Sequence, residues 1–226
     1  MNPWRFIISG ARQGAYNMAL DEAVFLRRCE DLSLPSVIRV YTWERPCVTI
    51  GYFQKYGGFE NRGMPVLRRL TGGLAVSHAH DVSYSVVTAE PDWPEVFDQE
   101  KTYFLIHRGI REGLAELGIQ SEFYTEPKTS SDISLCVATL FPHDLLYQKR
   151  KLVGSSQRRR GKVLLQQGSL HVTGHAFPSV ASALCNGWQK TLGITFNDSA
   201  PDPGESALCD ELLREKYADE SWNRKF

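Results

Sequence analysis

Two arginines run straight into paired glycines at Arg68-Arg69-Leu70-Thr71-Gly72-Gly73, and an apolar stretch then ends in His78. Strand-forming runs flank this segment, Pro65–Leu70 before it and Val82–Thr88 after it. The chain must therefore leave one strand and enter another through a loop whose glycines allow positive φ and close approach to a neighbour or ligand. The arginines carry charge that could neutralise a phosphate or carboxylate. Leu74 rather than Lys-Ser/Thr follows the paired glycines, which excludes a Walker A loop. On these residues alone, a tight turn with solvated arginines fits as well as a ligand site.

Around the loop, the pattern places helices toward the ends and strands in the middle. Asn17–Arg28 reads as an amphipathic helix with Asn17 as N-cap and acids in its first turns. Ser36–Trp43 and Cys47–Gly51 are consecutive strands separated by Glu44-Arg45-Pro46. Gln99–Leu117 has helical spacing with Gly118 as its stop, and an exposed loop runs from Tyr124 to Ser134. Short apolar runs at Asp144–Tyr147, Lys151–Gly154, Val163–Gln166 and Ser169–Val172 read as strand hairpins, and Phe177–Leu192 and Glu205–Tyr217 as helices. With no repeat or linker, the expectation is one domain over residues 1–226, an α+β fold with a mixed or antiparallel β-sheet core flanked by helices.

Composition removes several classes of function. Apolar residues make up 42% of the chain and charged residues 23%, values of an ordinary globular protein. Lys plus Arg and Asp plus Glu balance at 26 each, so neither nucleic acid nor an anionic membrane is an expected partner. No segment approaches the ~18 uninterrupted apolar residues of a membrane span, and the expected location is cytoplasmic. The cysteines Cys29, Cys47, Cys136, Cys185 and Cys209 are odd in number and never form Cys-x-x-Cys. Neither a disulfide framework nor a zinc site is expected.

A second informative stretch is Lys151-Leu152-Val153-Gly154-Ser155-Ser156-Gln157. Its lysine could act as a point charge on a substrate carbonyl or carboxylate, although on these residues alone a surface lysine in the basic cluster from Lys149 to Lys162 is the favoured reading. Taken together with Asn17-Met18-Ala19-Leu20-Asp21-Glu22, Thr49-Ile50-Gly51-Tyr52-Phe53-Gln54, the Arg-Arg-Leu-Thr-Gly-Gly loop, Lys216-Tyr217 and Trp222-Asn223, the chain resembles the lipoate-protein ligase and octanoyltransferase family. That resemblance covers nearly the whole sequence. It implies the catalytic-domain fold of biotin and lipoate protein ligases, which is class II synthetase-like. It also implies an acyl groove lined by Arg69, Thr71, Gly72, Gly73, His78, Gly154 and Ser155, with Lys151 stabilising charge on the activated carbonyl.

Within the family the chain is similar to the cysteine-dependent octanoyltransferases. There the catalytic cysteine stands eight residues before an acidic-Leu pair that precedes Lys-x-x-Gly, and Cys136 stands eight residues before Asp144-Leu145. Asp81-Val82-Ser83-Tyr84-Ser85-Val86 resembles the same branch, and the chain ends soon after Trp222-Asn223, without room for the accessory domain of many ligases. The resemblance implies transfer of an octanoyl or lipoyl group from an octanoyl-acyl-carrier protein, through a Cys136 thioester, to a lysine of a lipoyl domain in a glycine cleavage H-like protein or a dehydrogenase E2-like subunit. No cofactor is required by that chemistry. The alternatives are an ATP- and Mg²⁺-dependent lipoate-protein ligase, a lipoyl amidotransferase and a non-catalytic acyl-binding protein. Arg158–Arg160 and Lys162 form a basic run that could steer acidic partners.

Overall fold

A computed structural model of the protein describes residues 3–59, 63–126 and 139–226. In chain order the elements are β1 (Trp4–Arg12), α1 (Gly14–Glu30), β2 (Val37–Trp43), β3 (Cys47–Ile50), β4 (Val66–Arg68), β5 (Val76–His78), β6 (Val82–Ala89), α2 (Gln99–Glu116), β7 (Glu122–Phe123), β8 (Leu145–Tyr147), β9 (Arg150–Arg160), β10 (Val163–Leu170), α3 (Phe177–Leu192), β11 (Phe196–Ser199), α4 (Pro203–Leu212) and α5 (Glu220–Asn223). An eight-stranded mixed sheet has the order β11-β1-β2-β6-β10-β9-β8-β7, and a three-stranded sheet the order β4-β3-β5. The α+β expectation is met. β1 pairs in parallel with both β2 and β11, while β2, β6, β10, β9, β8 and β7 pair antiparallel.

Alternation along the central strands builds a core on each face of the large sheet. Tyr84 and Val86 of β6 face Ile110 and Leu114 of α2 and Leu184 and Trp188 of α3. Val87 of β6, Tyr41 of β2 and Leu165 of β10 face Leu20, Ala23 and Phe25 of α1. α2 and α3 cross closely because glycine occupies the contact: a Cβ on Gly187 would sit 2.1 Å from the Gly109 carbonyl oxygen. A smaller cluster, including Val48, Ile50 and Val66, holds the second sheet. No helix among the described residues is long and apolar enough to cross a membrane.

Several local expectations need correction. α1 begins at Gly14, with Gln13 at its N-cap and no acid in its first turn. Asn17 is a buried residue inside that helix, where its amide donates to the Thr42 carbonyl at 3.2 Å and its oxygen accepts from Arg39. The hairpin reading of the short apolar runs holds, but three of them lie on two long strands, β9 and β10, which pair from Arg160↔Val163 to Val153↔Leu170 across a turn at Gly161. Val76–His78, read as loop, is the strand β5, and Cys47–Ile50 joins it in the small sheet rather than extending the large one. The helix expected over Glu205–Tyr217 ends at Leu212 and continues as a π-turn over Leu213–Tyr217, whose Lys216 and Tyr217 both reach Glu22. The loop expected over Tyr124–Ser134 lies largely, and Cys136 wholly, outside the described residues.

Candidate active site

The paired-glycine loop, the first half of α1 and the β9–β10 hairpin enclose a cavity of about 600 Å³. Gln99, Glu100 and Pro142 stand exposed at its mouth, whereas Met18, Tyr41, Trp43 and Ser83 close its deep end and are buried. The loop is held against β3: Arg69 N donates to Ile50 O at 3.0 Å and Tyr52 N to Thr71 O at 2.9 Å. Contact there is so close that a Cβ on Gly51 would lie 2.0 Å from Gly73 O, and Gly73 itself takes φ +82°.

Both arginines are spent on backbone carbonyls, Arg68 on those of the segment after β3 and Arg69 on those of the loop itself. Arg68 Nη1 donates to Gly51 O, Tyr52 O and Gln54 O, and Nη2 to Asn223 O, all within 3.0 Å. Arg69 lines the cavity while its Nη2 binds Gly72 O at 2.6 Å and Leu74 O at 2.8 Å, and Nη1 binds Thr49 O at 3.1 Å. Gly72 and Gly73 are thus fixed at the cavity wall, with Thr71 buried behind them. Thr71 Oγ1 donates 2.9 Å to Gln167 on β10 and accepts at 2.9 Å from Ser156 on β9. Gln167 in turn donates 2.7 Å to Asp21 of α1, a buried carboxylate that also receives Arg39, Tyr41 and Ser85. Asp21 is therefore the anchor that ties helix, sheet and loop together.

His78 lines the same cavity, stacked on Trp43 with ring centroids 3.9 Å apart. Its Nδ1 lies 2.8 Å from Asp81 and its Nε2 lies 2.8 Å from Thr49 Oγ1. Burial alone would raise the Asp81 pKa, but the hydrogen bond and charge of His78, with the hydroxyl of Ser169, outweigh it and hold this carboxylate down at about 2. A buried, ionised acid behind the wall is the result.

Lys151 is buried on β9. Its Nζ lies 2.6 Å from Asp144 and donates 3.0 Å to the carbonyl of Thr139, three residues beyond Cys136. Asp144 also accepts from Tyr103 at 2.6 Å and from the Phe141 backbone at 2.8 Å. Gly154 and Ser155, three and four residues along the strand, line the cavity. Ser155 Oγ lies 2.6 Å from Tyr84 OH and 2.8 Å from His107 Nε2, and His107 Nδ1 lies 2.7 Å from the carbonyl of His143, a residue held at φ +70°. Burial pushes the His107 pKa down to about 4. The structure therefore brings Arg69, Gly72, Gly73, His78, Gly154 and Ser155 to one cavity, with Lys151 beside it and Thr71 buried behind the wall, bonded to Gln167 and Ser156. Asp21, Gln167, Asp144, Tyr103 and His107 are supporting groups that the sequence did not disclose as such.

The four described cysteines make poor nucleophiles. Burial raises the pKa of Cys47 to about 12 and of Cys209 to about 11, and lifts Cys29 and Cys185 as well. No disulfide joins them. The basic run Arg158–Arg160 does not form a common face: Arg158 lies over the Tyr52 ring at 4.8 Å, whereas Arg159 turns inward to Val96 O, Gln157 and Thr102. Among the described residues no group of three His, Cys, Asp or Glu side chains could hold a metal ion.

Comparison with known proteins shows the family and the fold. A family model described as the lipoyl protein ligase A/B catalytic domain matches residues 13–196. Octanoyltransferase LipM of Carboxydothermus hydrogenoformans is 31% identical over an alignment that covers all of both chains. Among solved structures, lipoate-protein ligase A bound with ATP gives a TM-score of 0.82 at 22% identity, covering 99% of each chain. A bi-partite lipoate protein ligase of Thermoplasma acidophilum, described with its E2 lipoyl domain, gives 0.76 at 20% identity over 99% of this chain and 97% of that one. At such identities the solved structures speak for the fold, and they agree with the expected ligase-like architecture.

Proposed function

Because the chain belongs to the lipoyl protein ligase A/B catalytic domain family, we propose that it moves an octanoyl or lipoyl group from an acyl-carrier thioester, through Cys136, to a lysine amine of a lipoyl domain. The observation that carries this reading is the bond from Lys151 Nζ to Thr139 O, which links a buried ammonium group to the segment that follows Cys136. A nearby cation favours a thiolate. Burial raises the pKa of the four described thiols, which supports giving the attack to Cys136.

The chemistry proceeds in two displacements. The Cys136 thiolate attacks the acyl carbonyl of the donor thioester, forming a new thioester and expelling the carrier thiolate. The neutral ε-amine of the acceptor lysine then attacks the Cys136 thioester, an amide bond forms, the amine gives up a proton to solvent, and the Cys136 thiolate leaves. Lys151 stabilises negative charge on the carbonyl oxygen in both steps. A thioester is already activated toward amines, so the route draws no ATP. The acceptor is a lipoyl domain of a glycine cleavage H-like protein or a dehydrogenase E2-like subunit, and residues 1–226 act as one catalytic domain. The reaction runs in the cytoplasm, where unpaired thiols persist, consistent with the absence of disulfides among the described cysteines.

The test is to incubate the protein with octanoyl-carrier protein without ATP and to measure intact mass. An octanoyl adduct is expected that chases onto a lipoyl domain and is missing in Cys136→Ala. Transfer that appears only with ATP and free octanoate or lipoate would replace this reading with a ligase.

A further inference from the structure

The hydroxyl groups of the cavity wall turn their protons away from the cavity. Behind the deep end lie two carboxylates, which can only accept. Asp21 takes the Tyr41 proton at 3.0 Å, and Asp81 takes those of Ser83 at 3.1 Å and Ser169 at 2.6 Å. Gln167 has its nitrogen on Asp21, so its oxygen accepts from Thr71, and the Thr71 oxygen then accepts the proton of Ser156. Nearer the mouth Tyr103 donates to Asp144.

Ser155 is fixed by the same logic. The carbonyl of His143 can only accept, which puts the His107 proton on Nδ1. Nε2 of the neutral ring then accepts the Ser155 proton, and Tyr84 becomes the donor to Ser155. Six wall hydroxyls, on Tyr41, Ser83, Tyr103, Ser155, Ser156 and Ser169, thus meet the cavity with lone pairs and no proton. Thr49 and His78 share a proton at 2.8 Å, and the two terminal nitrogens of Arg69 face the carbonyls of Thr49, Gly72 and Leu74.

The geometry points to a chemical filter on the acyl tail: the deep cavity admits a hydrocarbon tail, or one bearing a hydrogen-bond donor, and refuses a tail that carries only an acceptor, such as a ketone or carboxylate. This rests on the transfer reading above and narrows its substrate class. A ketone set among these six hydroxyls loses its water and gains no proton from them, the costly case for a polar group. A carboxylate fares worse, with Asp21 and Asp81 behind the deep end. A hydroxyl on the same carbon donates to Ser83 or Ser169 and recovers most of its loss. Hydrocarbon loses nothing.

Calorimetric titration of Cys136→Ala with N-acetylcysteamine thioesters of octanoate, 7-hydroxyoctanoate and 7-oxooctanoate tests the filter without needing turnover. The 7-oxo compound is expected to bind about tenfold or more weakly than octanoyl, and more weakly than the 7-hydroxy compound. In Asp81→Asn the side-chain amide returns a donor to Ser83 or Ser169, freeing a hydroxyl proton for the cavity, and the 7-oxo penalty is expected to shrink. Should that variant fail to fold, the ligand series on the unaltered wall decides alone. Equal binding of the 7-oxo and octanoyl compounds, or no octanoyl binding at all, would overturn the filter. The expected ranking without an octanoyl adduct on the unmodified protein would leave the filter standing and remove the transfer reading; an adduct with a flat ranking would do the reverse.

Discussion

Asp21 on α1 and Gln167 on β10 are 146 residues apart in sequence and 2.7 Å apart in space. The carboxylate also holds Arg39 at 2.8 Å, and both charged groups are 1% exposed or less at their side chains. Removing one partner of a buried pair leaves the other uncompensated. Asp21→Ala is expected to lower unfolding stability by about 3–5 kcal/mol, read from urea denaturation. Gln167→Ala removes only a neutral link and is expected to cost about 1–2 kcal/mol while loosening the Thr71 loop.

Lys151 is predicted to matter twice. Lys151→Ala should slow formation of the acyl adduct by about 10²–10³, the usual loss for one charge-stabilising donor. It also strands Asp144, so stability should fall as well. Lys151→Arg separates the two: it restores a cation to Asp144 and with it stability, but its planar fork cannot replace a point charge at the carbonyl, and adduct formation stays slow. Single-turnover mass spectrometry and thermal unfolding on the same samples check this.

Gly51→Ala places a methyl group where Gly73 O already stands. The paired-glycine loop must shift away from β3, which misplaces the cavity wall. A stability loss of about 1–3 kcal/mol is expected, together with weaker octanoyl thioester binding. Gly57→Ala, in a position with nothing within 4 Å, is the control and should change neither.

Acid should weaken the fold in two stages. His107 falls from the ordinary 6.5 to about 4, so between those values the unfolded chain binds more protons than the folded one. Its contribution is complete above pH 6.5 and about 3 kcal/mol disappears as pH drops to 4. Asp81, held at about 2 against an ordinary 3.8, contributes fully above pH 4 and loses about 2 kcal/mol as pH falls toward 2. Urea unfolding from pH 7 to 4 should slope for the unmodified protein and lie flatter for His107→Asn.

These supporting groups explain which parts of the molecule a sequence could disclose. Phe177–Leu192 was legible to its last residue, because apolar periodicity decides a helix and Gly193, at φ +64°, ends it. Of the pocket lining, Gly72, Gly73, His78, Gly154 and Ser155 were legible as candidates because the paired glycines and the Lys151–Ser155 run carry unusual local chemistry, whereas Tyr103 and Gln167 were not. Asn17 was misread because its side chain serves Arg39 and Thr42 rather than its own helix end. Arg159 looked solvated because nothing in a run of like charges says that one of them folds back onto Val96 and Thr102. His107 was invisible for a related reason: a lone histidine on a helix acquires meaning only when β9 and the His143 turn arrive beside it.

The strand order of the large sheet bears on how the chain is made. β1 is covered on one side by β2 soon after both leave the ribosome, but its other side waits for β11 at Phe196–Ser199. At ~5–20 residues per second that interval is on the order of ten to thirty seconds. During it an unpaired edge that includes Trp4, Phe6 and Ile7 stands open to other nascent chains. Synthesis rate and chaperone supply, rather than the stability of the finished fold, should therefore govern how much of this protein a cell recovers in usable form.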